Sequence, residues 1–303
     1  AGLASSRVAK AQGAHTVCDR GSSHIRSQAQ LLHEECQIWG MPLAERVDPR
    51  VIVREEAEYA QADKITVPST FSLNSFLQNG VPANKLHLLP YGVDLSKFSP
   101  TGRPLDDEFN VLFVGGMCLR KGIPYLVQAY QALKHPRKTL TFAGSFSPAL
   151  MNMLRQKGLW PEDARILGHV PQKELKHLMS TSHVMVLPSV EDGFGLVLSQ
   201  AMACGCVVIG SENTGAPDIV ENGTEGFIVP IRDSRALAER LQQLADDPAL
   251  RLTMSDAALA RVQMMGGWTQ YGDAALALYH SLAAQKGDMQ QADKQTGKQR
   301  GRP

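Results

Sequence analysis

Two cationic side chains follow a pair of glycines in one segment of this sequence, an arrangement that suits phosphate binding. Gly115 and Gly116 end an apolar run and let a ligand approach the backbone closely. Arg120 and Lys121 come shortly after them. An arginine can bind a phosphate through two parallel hydrogen bonds, and a lysine acts as a point charge. An ordinary turn with two solvated cations is the alternative, since glycine turns are common.

A second segment places two carboxylates before the turn Gly193-Phe194-Gly195. Glu191 and Asp192 precede this turn, and a helix is predicted to begin at Leu196. Backbone N–H groups at a helix N-terminus bind phosphate, so the turn suits a nucleoside diphosphate. Helix capping explains one acid, but not two acids with two glycines and a phenylalanine. Gln200 reaches the same place only if the first helical turn opens towards it.

Two further loops carry residue types that suit a ligand site. Thr214 and Gly215 lie in a loop of small residues before Pro217. This loop either contacts a sugar or phosphate or forms a helix cap, since proline suits the first helical turn. His24 ends the loop Asp19–His24, and it either faces a cleft or begins a solvated helix.

Alternating strands and helices are predicted to position the three later loops. Six apolar runs follow residue 110, with helical stretches between them. This alternation predicts an α/β fold with a doubly wound parallel sheet. Such sheets bind ligands at the carboxyl ends of their strands. The predicted strands are Val111–Val114, Thr139–Ala143, Arg165–Leu167, Val184–Leu187, Val207–Ile209 and Phe227–Val229.

The first part of the chain predicts a smaller α/β unit, and a linker follows it. Residues 90–104 hold three prolines and two glycines and show no periodicity, which is typical of an interdomain linker. The last residues are almost all polar and predict a disordered tail. The predicted divisions are a partial first domain (1–97), a second domain (98–266), a C-terminal helix (267–285) and the tail (286–303).

Composition excludes several classes of protein. The formal net charge of +1 argues against a nucleic-acid partner. No apolar stretch has the roughly 18 to 20 residues that cross a bilayer. The five cysteines lack a paired zinc spacing and suit buried thiols in a reducing cytosol. We therefore expect a cytoplasmic protein. Contact of the basic tail with the inner face of a membrane is the alternative to a solvated tail.

Taken together, these segments resemble glycosyltransferase family 4, the retaining nucleotide-sugar transferases of GT-B fold. The resemblance covers nearly all of residues 1–285. It implies two Rossmann-like domains that face each other across a cleft, with the acceptor on the first and the nucleotide sugar on the second. The first domain lacks its opening strands and Gly-rich acceptor loop, so we expect an N-terminal truncation. The segments that carry the resemblance are Pro90-Tyr91-Gly92-Val93-Asp94, Phe98-Ser99-Pro100, Arg120-Lys121-Gly122 and Asp192–Ala203.

The resemblance also implies roles for individual residues. Arg120 and Lys121 would hold the diphosphate, and His24 would lie near the reacting sugar. The implied catalytic residues are His24, Asp192, Arg120 and Lys121. The implied donor-binding residues are Gly115, Gly116, Arg120, Lys121, Glu191, Asp192, Gly193, Phe194, Gly195, Leu196, Gln200, Thr214 and Gly215.

Three positions depart from the family's pattern. The family often has two glutamates separated by seven residues across the turn and helix, where this chain has Asp192 and Gln200. Aspartate still binds sugar hydroxyls, and glutamine still binds ribose hydroxyls but is neutral. The arginine that often follows the first glycine is Gly116 here, so we expect Arg120 to compensate.

The resemblance implies a retaining transferase that moves a hexosyl group to a hydroxyl of a glycan, lipid-linked or small-molecule acceptor. The expected partners are therefore a nucleotide sugar, as substrate, and that acceptor. No metal or other cofactor is expected, because cations and a helix N-terminus stabilise the leaving diphosphate. Two alternatives remain: a GT-B epimerase or hydrolase of the nucleotide sugar, and a non-catalytic fragment that binds it.

Overall fold

The computed structural model describes residues 2–42 and 47–300, with side chains described up to residue 284, and contains two parallel sheets. The first sheet has three strands in the order β1-β2-β3. The second has six strands in the order β6-β5-β4-β7-β8-β9. The strands are β1 (Val17–Asp19), β2 (Lys64–Val67), β3 (Leu86–Leu88), β4 (Phe109–Val114), β5 (Lys138–Ala143), β6 (Arg165–Gly168), β7 (Val184–Leu187), β8 (Val207–Ser211) and β9 (Gly226–Val229).

Helices cover both sheets. A local cap fixes the start of the helix over Pro49–Gln61. Asp48 accepts the N–H of Arg50, and Pro49 occupies the first helical position. The sequence pattern predicts a helix over Glu55–Ala62 at this place, and the cap starts it six residues earlier, at Pro49. The helices are α1 (Leu3–Ala11), α2 (Ile25–Trp39), α3 (Pro49–Gln61), α4 (Thr70–Gln78), α5 (Ile123–Ala132), α6 (Pro148–Gln156), α7 (Gln172–Ser180), α8 (Leu196–Ala203), α9 (Ala216–Ile219), α10 (Ser234–Asp246), α11 (Pro248–Met265) and α12 (Trp268–Arg300).

The second sheet confirms the predicted doubly wound architecture. All six predicted strands are present, and every pairing between them is parallel. All four residues of β7 are fully buried, as expected for a strand covered by helices on both faces. The winding reverses between β4 and β7, which lie side by side. The crevice at such a reversal is where open α/β sheets bind ligands.

Helix α2 joins the two domains. The carboxylate of Glu35, which has no exposed surface, accepts hydrogen bonds from Arg232 Nε (2.6 Å) and the Tyr125 hydroxyl (3.0 Å). Trp39 Nε1 also donates to the Tyr125 hydroxyl (3.2 Å). Because Arg232 and Tyr125 belong to the second domain, these contacts hold the cleft closed at one end.

The C-terminal helix differs from its prediction. Helix α12 begins at Trp268 as expected but continues to Arg300, through a segment predicted to be disordered from residue 286. Glutamine and lysine are common there and are good helix formers, so a polar composition did not end the helix. Residues 301–303 lie outside the described residues. No helix within the described part of the chain is long and apolar enough to cross a membrane.

Candidate functional site

The loop after β4 is held against the end of β7. Its single helical turn, Leu119–Lys121, carries both predicted cations. The carbonyl oxygen of Arg120 accepts the N–H of Val190 (2.9 Å). Gly122 has a φ of 68° and packs so tightly that a Cβ would lie 1.9 Å from the carbonyl oxygen of Pro188. Only glycine fits there, and the two loops are therefore bound together at the reversal of the sheet.

The structure brings all four predicted charged residues together. Arg120 Nη1 lies 3.2 Å from Glu191 Oε2. Lys121 Nζ donates to Asp192 Oδ2, and each of these two side chains is 14% exposed. Two ion pairs therefore stand side by side where β4 and β7 end. Lys121 and Asp192 keep an edge towards solvent, whereas Glu191 has none.

Glu191 connects this site to the first domain. Its carboxylate accepts hydrogen bonds from the Ser22 hydroxyl (3.0 Å), the Ser23 N–H (3.0 Å) and hydroxyl (2.9 Å), and Gln28 Nε2 (2.8 Å). Burial alone raises the pKa of Glu191, but these bonds and the charge of Arg120 outweigh burial and lower it. Glu191 is therefore an ionised interdomain contact, and its predicted donor-binding role stays a prediction that these contacts do not support.

Sequence reasoning missed the partners of Glu191. In the sequence, the loop that holds Ser22 and Ser23 suggests a ligand site only through His24, and no local pattern marks Gln28. The signal that could have found them is the pair of serines, Ser22 and Ser23, shortly after the end of β1. Strands β1 and β7 both end at the cleft, so the loops that follow them can meet there. A partner 168 positions away leaves no local pattern.

The N-terminus of α8 is open to a ligand. Gly195 has a φ of 76°, and no side chain caps the helix among the described residues. The N–H of Leu198 already donates to the carbonyl oxygen of Gly195 (2.9 Å). The N–H groups of Leu196 and Val197 have no partner in the part of the chain that the structure describes, so they are available to an anion. Gln200 lies one turn after Leu196 on the same face and is half-buried.

The glycine turn itself touches the first domain. A Cβ on Gly193 would lie 2.0 Å from the carbonyl oxygen of Gly21. The hydroxyl of Ser72 donates to the carbonyl oxygen of Gly193 (3.2 Å). The two domains therefore meet backbone to backbone beside Asp192, and a side chain at residue 193 would separate them.

Phe194, Thr214 and Gly215 support the turn from behind. Phe194 and Thr214 are buried, and Thr214 Oγ1 donates to Ser211 (2.7 Å) and accepts the N–H of Ala216 (3.0 Å). The N–H of Gly215 donates to the carbonyl oxygen of Phe194 (2.9 Å). These bonds occupy polar groups of Phe194, Thr214 and Gly215, three residues that were predicted to bind the donor. The loop after β8 uses them to hold the glycine turn in place.

The structure does not bring His24 to the ion pairs. Its ring lies 5.0 Å from the rings of both Tyr59 and Phe76, and Nδ1 accepts the N–H of Arg26 (3.2 Å). Burial lowers its pKa, which favours the neutral ring that this bond requires. The side chain caps α2 inside the first domain. A catalytic role for His24 stays a prediction that none of these contacts supports.

The family follows from a direct comparison. The model for glycosyl transferases group 1 matches residues 97–261, more than half of the chain. The chain belongs to this family. The predicted resemblance to glycosyltransferase family 4 is thereby confirmed at the level of the family, and the matched span contains both ion pairs and the glycine turn.

Two curated relatives are similar over much of the chain. The D-inositol 3-phosphate glycosyltransferase of Arthrobacter sp. (strain FB24) is 28% identical over 291 residues, which are 83% of this chain and 68% of that protein. The amylovoran biosynthesis glycosyltransferase AmsK of Erwinia amylovora is 27% identical over 217 residues, 68% of this chain and 53% of that protein. The alignments therefore leave a third to a half of each relative unmatched.

Solved structures confirm the GT-B fold. The sucrose-phosphate synthase of Thermosynechococcus elongatus superimposes with a TM-score of 0.74 at 28% identity, over 88% of this chain and 68% of that one. Anabaena Alr3699/HepE in complex with UDP-glucose gives 0.74 at 19% identity, over 92% and 76%. At 19% identity, the similarity to Alr3699/HepE supports the fold alone.

Proposed function

We propose that this protein is a retaining transferase that moves a hexosyl group from a nucleoside-diphosphate sugar to an acceptor hydroxyl. A glycan, lipid-linked or small-molecule acceptor suits the family, and polysaccharide biosynthesis is the expected context. One observation carries the proposal: Lys121 and Asp192 form a partly exposed ion pair at the reversal of the sheet. The open N-terminus of α8 follows within the same turn.

Lys121 is the group that meets the leaving diphosphate. Transfer breaks the bond between the anomeric carbon and a diphosphate oxygen and forms a bond from that carbon to the acceptor oxygen. The leaving oxygen gains negative charge as its bond breaks, and the departing diphosphate takes up the proton that the acceptor hydroxyl loses. A cation and helix N–H groups that are already in place stabilise this charge without reorganisation. Lys121 is paired with Asp192. Binding of the diphosphate releases Asp192 to accept hydrogen bonds from the sugar hydroxyls.

Arg120 acts mainly through Glu191. Its guanidinium donates to a fully buried carboxylate and to the backbone carbonyl of the same residue (3.3 Å). Breaking that pair would leave a buried charge without compensation, so Arg120 keeps its partner when the donor binds. We therefore revise the expectation that Arg120 replaces the arginine absent at Gly116, and we assign the direct phosphate contact to Lys121.

The proposed chemistry uses the cations of the chain rather than a metal ion. Within the described residues, no group of three His, Cys, Asp or Glu side chains is arranged to hold a metal. The absence of a metal requirement stays a proposal. It is tested by assaying sugar transfer in the presence and absence of a chelator, with an unchanged rate expected.

The names of the relatives support the donor class and differ in the acceptor. One solved neighbour is a complex with UDP-glucose, and the curated relatives are named for inositol 3-phosphate and for amylovoran biosynthesis. The family and the cationic turn at the reversal of the sheet are what favour a nucleotide-sugar donor, and the UDP-glucose complex of that one neighbour agrees with it. The acceptor of this protein has to be inferred from its own cleft.

A donor panel tests the proposal. UDP-, GDP- and ADP-sugars are added to the protein, each alone and together with a panel of saccharide, sugar phosphate and lipid-linked acceptors, and the melting temperature and products are measured. A ligand that binds the native state raises the melting temperature. The proposal expects one donor to stabilise the protein and to be converted into an acceptor-linked product. Release of free sugar, epimerisation of the nucleotide sugar, or binding without turnover would each contradict transferase activity and favour one of the alternatives.

A further inference from the structure

We propose that a cavity between α2, α4 and the loop after β8 binds the acceptor, and that this acceptor is a neutral saccharide. The cavity measures about 520 Å³, within the usual range of about 300 to 1,000 Å³ for small-molecule sites. Both domains line it. The inference rests on the proposed function, because it assigns the acceptor side of the same reaction.

The lining is rich in uncharged amides. Asn74 and Gln78 are one turn apart on α4, and Gln30 on α2 and Asn213 after β8 also line the cavity. Asn74 and Gln78 are exposed, and their side chains have no hydrogen-bond partner among the described residues. A primary amide both donates and accepts hydrogen bonds, as does a sugar hydroxyl. The two free amides are therefore matched to a polyhydroxylated ligand.

One aromatic ring completes the surface. Phe71 lies three residues before Asn74 on α4, half-buried, and lines the same cavity. Residues three apart are neighbours on a helix surface. A pyranose ring has an apolar C–H face and a polar edge, so it packs on the ring while its hydroxyls reach the amides. Aromatic side chains with a few placed polar groups are typical of small-molecule sites.

The charges around the cavity disfavour an anionic acceptor. No lysine or arginine lines it, and Glu212 is its one charged lining residue among those described. At its margin the N–H of Thr70 donates to the carboxylate of Asp218 (3.0 Å). Glu34, which accepts from Gln30 (3.0 Å), is already paired with Arg232 (2.9 Å), so that arginine is not free to meet an anion. A sugar phosphate or a lipid diphosphate would meet carboxylates without a lysine or arginine in the lining. A neutral saccharide is free of this repulsion.

The cavity adjoins the proposed reacting centre. The carbonyl oxygen of Asn213 accepts the N–H of Asp192 (3.0 Å), and Asn213 Nδ2 donates to Val190 (2.9 Å). Strands β4, β7 and β8 are consecutive neighbours in the sheet, so the turn after β7 lies between the Lys121 loop and the cavity. With a strand spacing of about 4.8 Å, the two loops are about 10 Å apart. Asp192 is thus placed between leaving group and acceptor.

A binding experiment with matched variants tests the inference. Calorimetry measures the affinity for neutral saccharides (maltotriose, cellotriose, sucrose and trehalose) and for glucose 6-phosphate and sucrose 6-phosphate. The test variant is Asn74→Ala/Gln78→Ala. The control is Asn152→Ala/Gln156→Ala on α6, which has the same residue types and spacing and is also exposed. At least one neutral saccharide is expected to bind wild type and control, and to bind the test variant about tenfold more weakly, because two neutral hydrogen bonds are lost.

Three results would overturn the inference: no neutral saccharide binds, the phosphorylated sugars bind more tightly than the neutral ones, or the test variant binds as the control does. The donor panel separates this failure from that of the proposed function. If wild type binds and turns over a nucleotide sugar while any of the three results is found, the acceptor assignment alone is wrong. If wild type binds a neutral saccharide but no nucleotide sugar, the site is real and the transferase proposal is wrong.

Discussion

The carboxylate of Glu191 accepts hydrogen bonds from both the backbone N–H (3.0 Å) and the hydroxyl (2.9 Å) of Ser23. The two residues follow strands of different sheets and are 168 positions apart. A carboxylate without exposed surface needs several donors to remain charged, and Ser23 supplies two of them. Because Arg120 shares the same carboxylate, closure of the cleft and placement of the cationic loop are coupled.

Replacement of Glu191 by glutamine is expected to destabilise the closed protein. Glu191→Gln leaves Arg120 without its buried partner and turns one acceptor into a donor, so we expect a loss of about 3 kcal/mol in the free energy of unfolding. Urea denaturation measures it. Glu239→Gln is the control, because Glu239 pairs with Arg235 (3.0 Å) on the surface, where a pair contributes at most about 1 kcal/mol. Equal losses in the two variants would contradict the role of Glu191.

Acid is expected to weaken the same contact. The pKa of Glu191 lies below its ordinary value of 4.5 in the folded protein. Its stabilisation is therefore fully present above pH 4.5 and is lost as pH falls through the lowered folded value. The difference in unfolding free energy between wild type and Glu191→Gln should stay constant from pH 7 to about pH 5 and shrink below 4.5. A difference that is flat or grows in acid would show that the pKa is not lowered.

The sequence predicted the second domain well because its signals are local. The strands β4 to β9 are four to six residues long, each contains apolar residues and lies between turns or loops, and each is present. Parallel pairing also predicted that the loops after these strands converge, because the carboxyl ends of parallel strands lie at one edge of the sheet. The start of α3 was missed although the capping pair Asp48-Pro49 is also local.

The chemistry of the site was less predictable. Glu191 and Asp192 are adjacent and chemically alike, but one is buried against the first domain and the other pairs with Lys121 at the cleft. The role of each acid depends on which of the two contacts Ser23, and this contact exists only in the folded chain. The burial of His24 between two aromatic rings was hidden for the same reason.

Gly116 offers space for an additional cation. Its φ is not positive, and a Cβ there would lie 3.4 Å from Ser145 Oγ, an ordinary contact. Gly116→Arg is therefore expected to fold and to bind the nucleoside diphosphate of the stabilising donor about tenfold more tightly, through a charge-assisted hydrogen bond. Calorimetry at two salt concentrations measures this gain, which should fall as salt rises.

The control for this gain is Gly116→Gln, which adds a long polar side chain without a charge. If the glutamine variant binds as tightly as the arginine variant, the phosphates do not lie beside Gly116. Gly115→Ala provides a contrast, because Gly115 has a φ of 140° that alanine rarely adopts. We expect it to lower the melting temperature, whereas Gly116→Arg should not.

The most direct test of the account is the rate of nucleoside diphosphate release by Lys121→Ala at saturating donor and acceptor. We predict a decrease of about 100-fold or more in kcat, because a preorganised charge on the leaving oxygen is removed. Lys134→Ala, which removes an exposed lysine of the same domain, should retain the wild-type rate. A Lys121→Ala protein that is folded, as shown by its melting temperature, and that releases the diphosphate at the wild-type rate would contradict the account.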